Sequence, residues 1–165
     1  MRVVLLSDTH VKSRAAALPE WVKSALRSAD HTIHAGDFDS RPAYEEIADL
    51  AGELTAVAGN MDRALGLPEV ATVELGGVQF VVTHGTGPDE GYRDRVLDVV
   101  EDNAAETRPT VGVSGHTHRV VDEEVDGYRL LNPGSATGAF PAQEATLMVA
   151  EIADGECSVD LRRGE

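Results

Sequence analysis

The sequence predicts an α/β fold with four layers, in which two mixed β-sheets lie face to face and helices cover both outer faces, an αββα sandwich. Three patterns support this prediction. Residues 2–58 alternate between short apolar runs and amphipathic stretches, which is the β–α–β–α–β order of a parallel sheet. Residues 70–82 then show the alternation of a β-hairpin. Further strand pairs fill the C-terminal third of the chain.

The first half of the chain supplies the predicted parallel unit. Its strands are expected at residues 2–6, 32–34 and 54–58. A helix over 19–29 places Pro19 in its first turn, where a missing N–H is tolerated. A second helix begins after Ser40, whose side chain can cap it, and ends at Gly52. Polar residues that follow these strands are therefore expected at the carboxyl edge of the sheet, where parallel sheets place their sites.

The second half is predicted to be richer in strands. A hairpin joins residues 70–75 to 78–82 through Gly76-Gly77, and a helix is expected at about 91–105. The remaining predicted strands are 110–114, 119–125, 128–131, about 145–152 and 156–161. Turns at Asp126-Gly127 and Asp154-Gly155 would join the last two pairs, which gives the second sheet antiparallel as well as parallel neighbours.

Length and composition bound the class of protein. A chain of 165 residues is expected to form one domain over residues 1–165, with a core that needs no disulfide. Its single Cys157 cannot form an intramolecular bridge, which fits a reducing cytoplasm or simple disuse. No N-terminal signal and no apolar stretch of membrane-spanning length is visible in the sequence. We therefore expect a cytoplasmic protein without membrane contact.

The charge balance is strongly acidic. The chain has 29 acidic residues against 14 basic ones, a net charge of −15, and its only lysines are Lys12 and Lys23. Such a chain repels itself at low salt, whereas molar salt shortens the screening length to about 3 Å. This composition favours a halophilic host over an ordinary acidic protein. It also argues against an extended nucleic-acid interface, because no basic patch is available to displace counterions.

Five loops that follow predicted strands carry histidine, aspartate or asparagine. The side chains concerned are Asp8, His10, Asp37, Asn60, His84, His116 and His118. Carboxylate, imidazole and amide ligands without a thiolate suit Mn²⁺, Fe²⁺, Ni²⁺, Zn²⁺ or Mg²⁺. The pattern therefore predicts a metal centre at the strand ends.

Phosphoester hydrolysis is a reaction that such a ligand set can support. Asp37 lies in the middle of the set, and a carboxylate can bridge two ions. Two ions about 3.5–4 Å apart can share a hydroxide near neutral pH and clamp a phosphoryl group for in-line attack. Asn60 is neutral, so it would hold a metal without adding charge that opposes an anionic substrate.

These residues resemble the five-motif signature of the calcineurin-like metallophosphoesterases. The matching motifs, in the family's order, are Asp8-x-His10, Gly36-Asp37, Gly59-Asn60-x-Asp62, His84 and Gly115-His116-x-His118. The later Asn132-Pro133-Gly134-Ser135 and the terminal strand pair resemble the small single-domain branch of YfcE-type and archaeal phosphodiesterases. The likeness thus spans nearly the whole chain.

The resemblance implies a site for two divalent ions. Mn²⁺ is the first expectation, with Ni²⁺, Fe²⁺, Zn²⁺ and Mg²⁺ as alternatives. By resemblance, Asp8, His10, Asp37 and His118 hold one ion, and Asp37, Asn60, His84 and His116 hold the other. The same resemblance implies that Asp37, Asn60 and His84 are catalytic.

One position departs from the wider family, many members of which have histidine where this chain has Met61. A thioether cannot donate a proton, so metal-bound water or solvent would protonate the leaving group, which favours good leaving groups. Asp62 is predicted either to hydrogen-bond a neighbouring ligand or to cap a turn with Arg63. His34 is either a hydrogen-bonding partner of a ligand or a structural residue. Residues 132–135 are predicted to form a tight turn beside the site.

We therefore expect a dinuclear metal-dependent phosphodiesterase that acts on a small phosphoester by attack of a metal-bridging hydroxide. Two alternatives remain open on the sequence alone. One is a phosphomonoesterase for a small phosphorylated substrate. The other is a non-catalytic scaffold, as in a retromer subunit that has this fold and lacks part of the ligand set. A homodimer is also expected.

Overall fold

Two five-stranded β-sheets are stacked face to face in the computed structural model, which describes residues 1–164. The strands are β1 (Arg2–Leu6), β2 (His31–His34), β3 (Leu54–Ala56), β4 (Val70–Leu75), β5 (Val78–Thr83), β6 (Thr110–Val113), β7 (Val120–Val125), β8 (Tyr128–Pro133), β9 (Thr146–Ala153) and β10 (Glu156–Arg163). The helices are α1 (Glu20–Arg27), α2 (Arg41–Ala51) and α3 (Tyr92–Asn103), and a short 3₁₀ helix spans Arg63–Leu65.

The first sheet has the strand order β10-β9-β1-β2-β3. β1, β2 and β3 run parallel and are connected through α1 and α2, which confirms the predicted β–α–β–α–β unit. The C-terminal hairpin of β9 and β10 joins this unit antiparallel to β1. Both ends of the chain therefore contribute to the same sheet, and the sheet is mixed.

The second sheet has the order β4-β5-β6-β8-β7. Its three central strands, β5, β6 and β8, are parallel, and α3 provides the crossover between β5 and β6. The outer strands β4 and β7 are antiparallel partners supplied by hairpins. The mixed second sheet and the four-layer αββα arrangement that the sequence predicts are thus confirmed.

Strand β1 shows how the layers are held together. Val3 and Leu5 belong to the core between the two sheets, where they share a cluster with Phe80 of the second sheet. The alternate residues Val4 and Leu6 belong to the cluster beneath α1 and α2. All these side chains are fully buried, and each contributes about 1.5–3 kcal/mol of apolar transfer free energy. A third cluster packs α3 onto the second sheet.

Helix α2 begins and ends where the local sequence requires. The Ser40 side chain accepts a hydrogen bond from the backbone N–H of Ala43 at 3.3 Å, and Pro42 occupies the first turn. The helix stops at Gly52, whose φ of 70° lies in the left-handed region that favours glycine. The predicted cap and stop residues of this helix are therefore confirmed.

The prediction of a tight turn over residues 132–135 is wrong. Asn132 and Pro133 are the last two residues of β8, and Pro133 lies opposite Val120 of β7. Proline lacks an N–H, but it is tolerated at the end of a strand where the ladder needs no further donor. The turn itself comes later, over residues 135–138, where the backbone N–H of Gly138 donates to the carbonyl of Ser135 at 3.2 Å.

Within residues 1–164, no helix combines the length and the apolar character that crossing a bilayer would require.

Candidate metal centre

All seven side chains proposed as ligands lie in loops that directly follow strands. Asp8 and His10 follow β1, Asp37 follows β2, Asn60 follows β3, His84 follows β5, and His116 and His118 follow β6. The first sheet contributes three of these loops and the second sheet contributes two, and the stacking of the sheets brings them together. The site is therefore built between the sheets rather than on either sheet alone.

Two groups of donor atoms form the centre of this site. The first consists of Asp8, His10 and His118, and the second of Asp8, Asp37 and His84. Within each group the donor atoms all lie within 4.8 Å of one another, and every one of these residues is buried. Because Asp8 belongs to both groups, the two groups are adjacent.

Both carboxylates lie between the two groups of histidines. Asp37 Oδ2 is 3.5 Å from His10 Nε2 and 3.2 Å from His84 Nε2. Asp8 Oδ1 is 3.3 Å from His118 Nε2 and 3.8 Å from both His10 Nε2 and His84 Nε2. The sequence suggested a bridging position for Asp37 alone. The equally central position of Asp8 follows only from the fold.

Asn60 and His116 extend the second group toward solvent. Asn60 Oδ1 is 3.1 Å from His84 Nε2 and 3.2 Å from His116 Nδ1. Both residues are half-buried, whereas the other five are buried. The neutral amide thus lies at the open side of the site, where a substrate would approach.

Hydrogen bonds to backbone carbonyls determine which histidine nitrogens carry protons. His84 Nδ1 donates to the carbonyl of Ala35 at 2.6 Å, and His118 Nδ1 donates to the carbonyl of Ala139 at 2.8 Å. A carbonyl can only accept, so in the neutral ring the Nε2 atom keeps its lone pair. The Nε2 atom of His84 faces Asp8 and Asp37, and that of His118 faces Asp8.

The other two histidines are oriented in the same way. His116 Nε2 donates to the carbonyl of Gly87 at 2.7 Å, which leaves Nδ1 as the atom facing the site. His10 Nδ1 lies 2.8 Å from a carboxylate oxygen of Asp39, which leaves His10 Nε2 facing inward. A second partner that fixes the tautomer and the ring orientation is typical of histidines that bind metals.

The donor atoms that this arrangement leaves unpaired are suited to binding divalent cations. Among the described residues, Asp8 Oδ1 is a buried carboxylate oxygen without a hydrogen-bond partner, an arrangement that is costly unless a cation lies nearby. His10 Nε2 and His118 Nε2 face each other at 3.2 Å, although their other nitrogens already hold partners. A cation between these lone pairs would satisfy all three atoms. Nitrogen and oxygen donors without sulfur suit Mn²⁺, Fe²⁺, Zn²⁺ and similar ions.

Without a cation, protons partly compensate the buried carboxylates. Burial by itself would lower the pKa of His84, but its hydrogen bond to Asp37 and the charges of Asp8 and Asp37 raise that pKa to about 9. Burial would likewise raise the pKa of the Asp8 carboxyl, yet the adjacent imidazoles of His10, His118 and His84 hold it below its usual range. Cations that bind here must therefore displace protons.

Asp62 holds the loops that carry two of the ligands. Its carboxylate accepts backbone N–H groups from Asp37 (2.6 Å), Phe38 (2.9 Å), Asp39 (2.9 Å) and Gly59 (2.9 Å). Burial raises the pKa of this carboxyl even though the hydrogen bonds from Asp39, Gly59 and Asp37 oppose that shift. Of the two predicted roles, the structure favours the contact to a ligand, made through the ligand's backbone. The side chain does not cap the 3₁₀ helix at Arg63.

His34 is a fully buried support for the same loops. Its Nδ1 accepts the backbone N–H of Gly36 at 3.1 Å, so its Nε2 carries the proton and donates to Thr9 Oγ1 at 3.2 Å. The ring stacks on Phe38 with 3.7 Å between ring centroids. Burial lowers the pKa of His34 to about 3. This histidine is therefore a neutral structural residue that reaches the ligands only through their loops.

Asn132 and Ser135 support the site from the second sheet. The Asn132 amide donates to the carbonyl of Gly115 at 3.0 Å and to Thr117 Oγ1 at 3.2 Å, in the loop that carries two histidines. The Ser135 hydroxyl donates to the backbone carbonyl of Asp8 at 2.7 Å. The segment that resembled the small phosphodiesterase branch thus positions loops on both sides of the site.

The backbone at the site is in an unfavourable conformation. Left-handed φ values occur at Asp8 (52°), His10 (43°), Asp37 (65°), Asp39 (80°), His116 (72°) and His118 (59°). These are six of the nine non-glycine residues with positive φ among the described residues. Such strain persists only where the surrounding structure holds it, and it is concentrated at functional sites.

Met61 lies at the surface of this site. Its side chain is 46% exposed, while its backbone N–H donates to Asp37 Oδ1 at 3.0 Å. The backbone of this residue therefore helps to position a ligand, and its side chain offers no proton to a leaving group.

Several contributors were missed by the sequence reasoning. Asp39 stands two residues after the proposed ligand Asp37, and a further carboxylate that close to a predicted ligand is a signal that could have found it. Tyr92 donates its hydroxyl to the Gly115 carbonyl at 2.6 Å, but nothing in its local sequence indicates this role. The carbonyls that orient the other histidines carry no sequence signal, because every residue has one.

An αββα sandwich with adjacent aspartate–histidine donor groups at its strand ends is the architecture of metal-dependent phosphoester hydrolases. Comparison with known families agrees with this class. The profile of the calcineurin-like phosphoesterase superfamily domain matches residues 1–155, and the chain belongs to this superfamily.

Two archaeal proteins are similar over most of the chain. A probable metallophosphoesterase of Methanothermobacter thermautotrophicus is 34% identical over 158 residues, which cover 94% of this chain and 88% of the relative. A probable metallophosphoesterase of Methanocaldococcus jannaschii is 34% identical over 140 residues, covering 83% of this chain and 69% of the relative.

Comparison with solved structures shows that other proteins share this fold. The solution structure of a Thermotoga maritima protein has a TM-score of 0.74 at 31% identity and covers 98% of each chain. Vps29 of Entamoeba histolytica, in a crystal structure with Zn²⁺, has a TM-score of 0.74 at 29% identity, covering 99% of this chain and 98% of that one. Chaetomium thermophilum Vps29 has a TM-score of 0.79 at 21% identity, over 99% of this chain and 96% of that one, which supports the fold alone.

Proposed function

We propose that this chain is a phosphodiesterase that uses two divalent cations. The observation that carries the proposal is the pair of adjacent donor groups, Asp8–His10–His118 and Asp8–Asp37–His84, which share a carboxylate. A shared anionic ligand keeps two cations close together, and two adjacent cations are the arrangement that stabilises both the attacking and the leaving oxygen in phosphoryl transfer.

The proposed ligand roles follow the two donor groups. His10 and His118 would hold one cation and Asn60, His84 and His116 the other, and the two central carboxylates, Asp8 and Asp37, are within reach of both sets of histidines. When bound, the cations lower the pKa of a water nucleophile and neutralise charge on the phosphoryl oxygens. The chain itself keeps the rings in one orientation through Asp39 and three backbone carbonyls. Mn²⁺ is our first proposal for the cation and Zn²⁺ the second, since Zn²⁺ accompanies the Vps29 of Entamoeba histolytica.

Two features support a diester rather than a monoester. A monoester places two negative charges near neutral pH on the reacting phosphoryl group and a diester places one, and that group would lie beside the buried carboxylates of Asp8 and Asp37. No basic side chain is among the seven proposed ligands, and Met61 supplies no proton to the leaving group. A diester with a good leaving group therefore suits such a site better than a monoester, because it carries less negative charge and needs no proton donor.

The experiment that tests the proposal compares two chromogenic esters. Metal-stripped protein is given Mn²⁺, Zn²⁺, Ni²⁺ or Mg²⁺ one at a time, in high salt. Hydrolysis of bis-p-nitrophenyl phosphate is then measured beside that of p-nitrophenyl phosphate. We expect turnover that depends on added metal and a higher kcat/KM for the diester.

A pair of matched variants separates the site from the rest of the molecule. His84→Gln should reduce metal-restored turnover by about 100-fold, because a ligand to the second cation is lost. His31→Gln is the control, since His31 contacts Thr55 and lies outside both donor groups. Equal turnover in the two variants would contradict the ligand assignment.

The alternatives correspond to other outcomes of the same assay. A higher kcat/KM for the monoester would identify a phosphomonoesterase. No turnover of either ester, in folded protein whose metal content has been measured, would favour the non-catalytic scaffold.

A further inference from the structure

A cleft of about 530 Å³ opens directly beside the proposed metal ligands Asn60 and His84. Its wall includes two arginines, Arg63 from the 3₁₀ helix and Arg95 from α3. The size is that of a ligand pocket, and the cleft is continuous with the place where a substrate phosphoryl group would sit. It could therefore receive one arm of a substrate.

The two arginines are unusual in this acidic chain because neither has a carboxylate partner. Nine of the 14 basic residues have a carboxylate oxygen within 4.0 Å. Within residues 1–164, no such pair includes Arg63 or Arg95, although acidic residues outnumber basic ones two to one. Neither guanidinium of the cleft is therefore held in an ion pair within the part of the chain that the structure describes.

The Arg95 guanidinium is fixed in place by neutral groups only. It donates to the backbone carbonyls of Gly85 (3.1 Å), Pro88 (2.8 Å) and Glu90 (3.2 Å). Its Nε atom is buried and, among the described residues, has no hydrogen-bond partner. The positive charge of this partly buried guanidinium is therefore held in a fixed position where residues 1–164 provide no anionic partner and a bound anion could pair with it.

Two carboxylates also line the cleft, and neither neutralises the arginines. Asp62 directs its oxygens to four backbone N–H groups in the ligand loops. Glu69 is exposed, and the described ion pairs do not include it. Arg63 is exposed as well, so its fork of N–H donors is open to a ligand.

We propose that this cleft binds a second phosphate group of the substrate, so that the substrate is a phosphodiester with a further phosphate on one arm. The inference rests on the proposed function. A terminal phosphate monoester is close to a dianion at neutral pH, and its oxygens can accept hydrogen bonds from the open N–H fork of Arg63, while the fixed guanidinium of Arg95 adds a second positive charge. The cations take the diester phosphate, and the arginines take the second phosphate.

The test uses two esters that differ by one phosphate. They are the p-nitrophenyl ester of thymidine 5′-phosphate and the 5′-p-nitrophenyl ester of thymidine 3′,5′-bisphosphate. In both, water adds at the 5′-phosphorus, the bond to the nitrophenyl oxygen breaks, and p-nitrophenolate leaves. We expect the kcat/KM of the bisphosphate ester to be about tenfold higher, measured with the metal-loaded enzyme at the lowest salt that keeps it folded.

Two variants test whether the preference for the bisphosphate ester arises in the cleft. Arg63→Gln should reduce the ratio of the two kcat/KM values to near one, and because Arg63 is exposed the variant is expected to fold. Arg93→Gln removes the same charge from the exposed face of α3, where Arg93 pairs with Glu123 at 3.1 Å, and it should keep the wild-type ratio. Equal ratios in the two variants would mean that overall charge, not the cleft, sets the preference, and would overturn the inference.

The remaining outcomes distinguish the inference from the proposed function. Active enzyme with equal kcat/KM for both esters overturns the inference and leaves the phosphodiesterase intact. If no ester is hydrolysed, the proposed function fails, and calorimetric binding then tests the cleft alone. In that case, tighter binding of thymidine 3′,5′-bisphosphate than of thymidine 5′-phosphate, lost in Arg63→Gln, would support the second-phosphate site. Equal binding would overturn it.

Discussion

Asp62 places one carboxylate among four backbone N–H groups, and through them it sets the positions of Asp37 and Gly59. Replacing it by asparagine removes the charge and points an NH₂ group at backbone N–H groups, which cannot accept a hydrogen bond. We expect Asp62→Asn to lower the free energy of unfolding by about 2–4 kcal/mol, because buried donors lose their acceptor. Metal affinity should fall by about 10–100-fold, since the ligand loops lose their support.

Urea unfolding of metal-free protein and calorimetric titration with Mn²⁺ measure the two effects of Asp62→Asn separately. Asp98→Asn is a suitable control, because Asp98 is an exposed residue of α3. Wild-type metal affinity in a destabilised Asp62→Asn protein would show that the loops keep their positions without this carboxylate.

His34 should make stability depend on pH. Its pKa is about 3 in the folded protein and 6.5 in an unfolded chain, so the unfolded chain binds the proton first as pH falls. The contribution of neutral His34 to the free energy of unfolding is therefore complete above pH 6.5. It is lost as pH decreases toward 3, by about 1.4 kcal/mol per pH unit. Unfolding free energies of metal-free wild type and His34→Gln, measured between pH 7 and 5, should converge as pH falls. Parallel curves would contradict this account.

At the scale of elements, the loop after β6 can reach the site only because residue 115 is glycine. A Cβ at Gly115 would overlap Ser7 Oγ and the Asp8 carboxylate, so the two segments could not approach as they do. We expect Gly115→Ala to displace the loop that carries His116 and His118, with a stability loss of about 1–3 kcal/mol. Binding of the cation held by His118 should weaken at least about tenfold.

Metal stoichiometry and affinity, measured by calorimetry on Gly115→Ala, check this expectation. Two ions bound with wild-type affinity would mean that the β6 loop tolerates a methyl group against Asp8.

The order of the elements could be predicted from the sequence because each element carries its own signal. The Ser40 cap and the Gly52 stop define α2, and the alternation around Gly76-Gly77 defines the β4–β5 hairpin. The C-terminal hairpin was predicted as two strands, but its place beside β1 depends on contacts between opposite ends of the chain. Local patterns do not contain that information.

Some features of the candidate site could also be predicted from the sequence, and others could not. The seven side chains could be proposed because their residue types and their places after strands are visible in the sequence. The carbonyls of Ala35, Gly87 and Ala139 could not, since any residue would supply the same atom. The shared position of Asp8 also required the fold, because it depends on how the two sheets stack.

At the scale of the whole molecule, the charge of −15 should make the protein depend on salt. The screening length shortens from about 10 Å at 0.1 M to about 3 Å at 1 M, so repulsion between surface carboxylates largely disappears. We expect the Tm of metal-free protein to rise between 0.1 and 1 M KCl, measured by circular dichroism. A Tm that is constant over this range would contradict a halophilic adaptation.

The six left-handed residues at the site have a consequence for how the protein can evolve. Each holds a side chain where glycine would be relaxed, at a cost of about 1 kcal/mol, so replacing Asp37 or His116 by glycine removes strain together with a proposed ligand. In a lineage released from selection for activity, substitutions at these positions would be favoured by folding itself. Backbone strain alone would therefore favour glycine at these positions, and the proposed metal centre requires side chains that work against it.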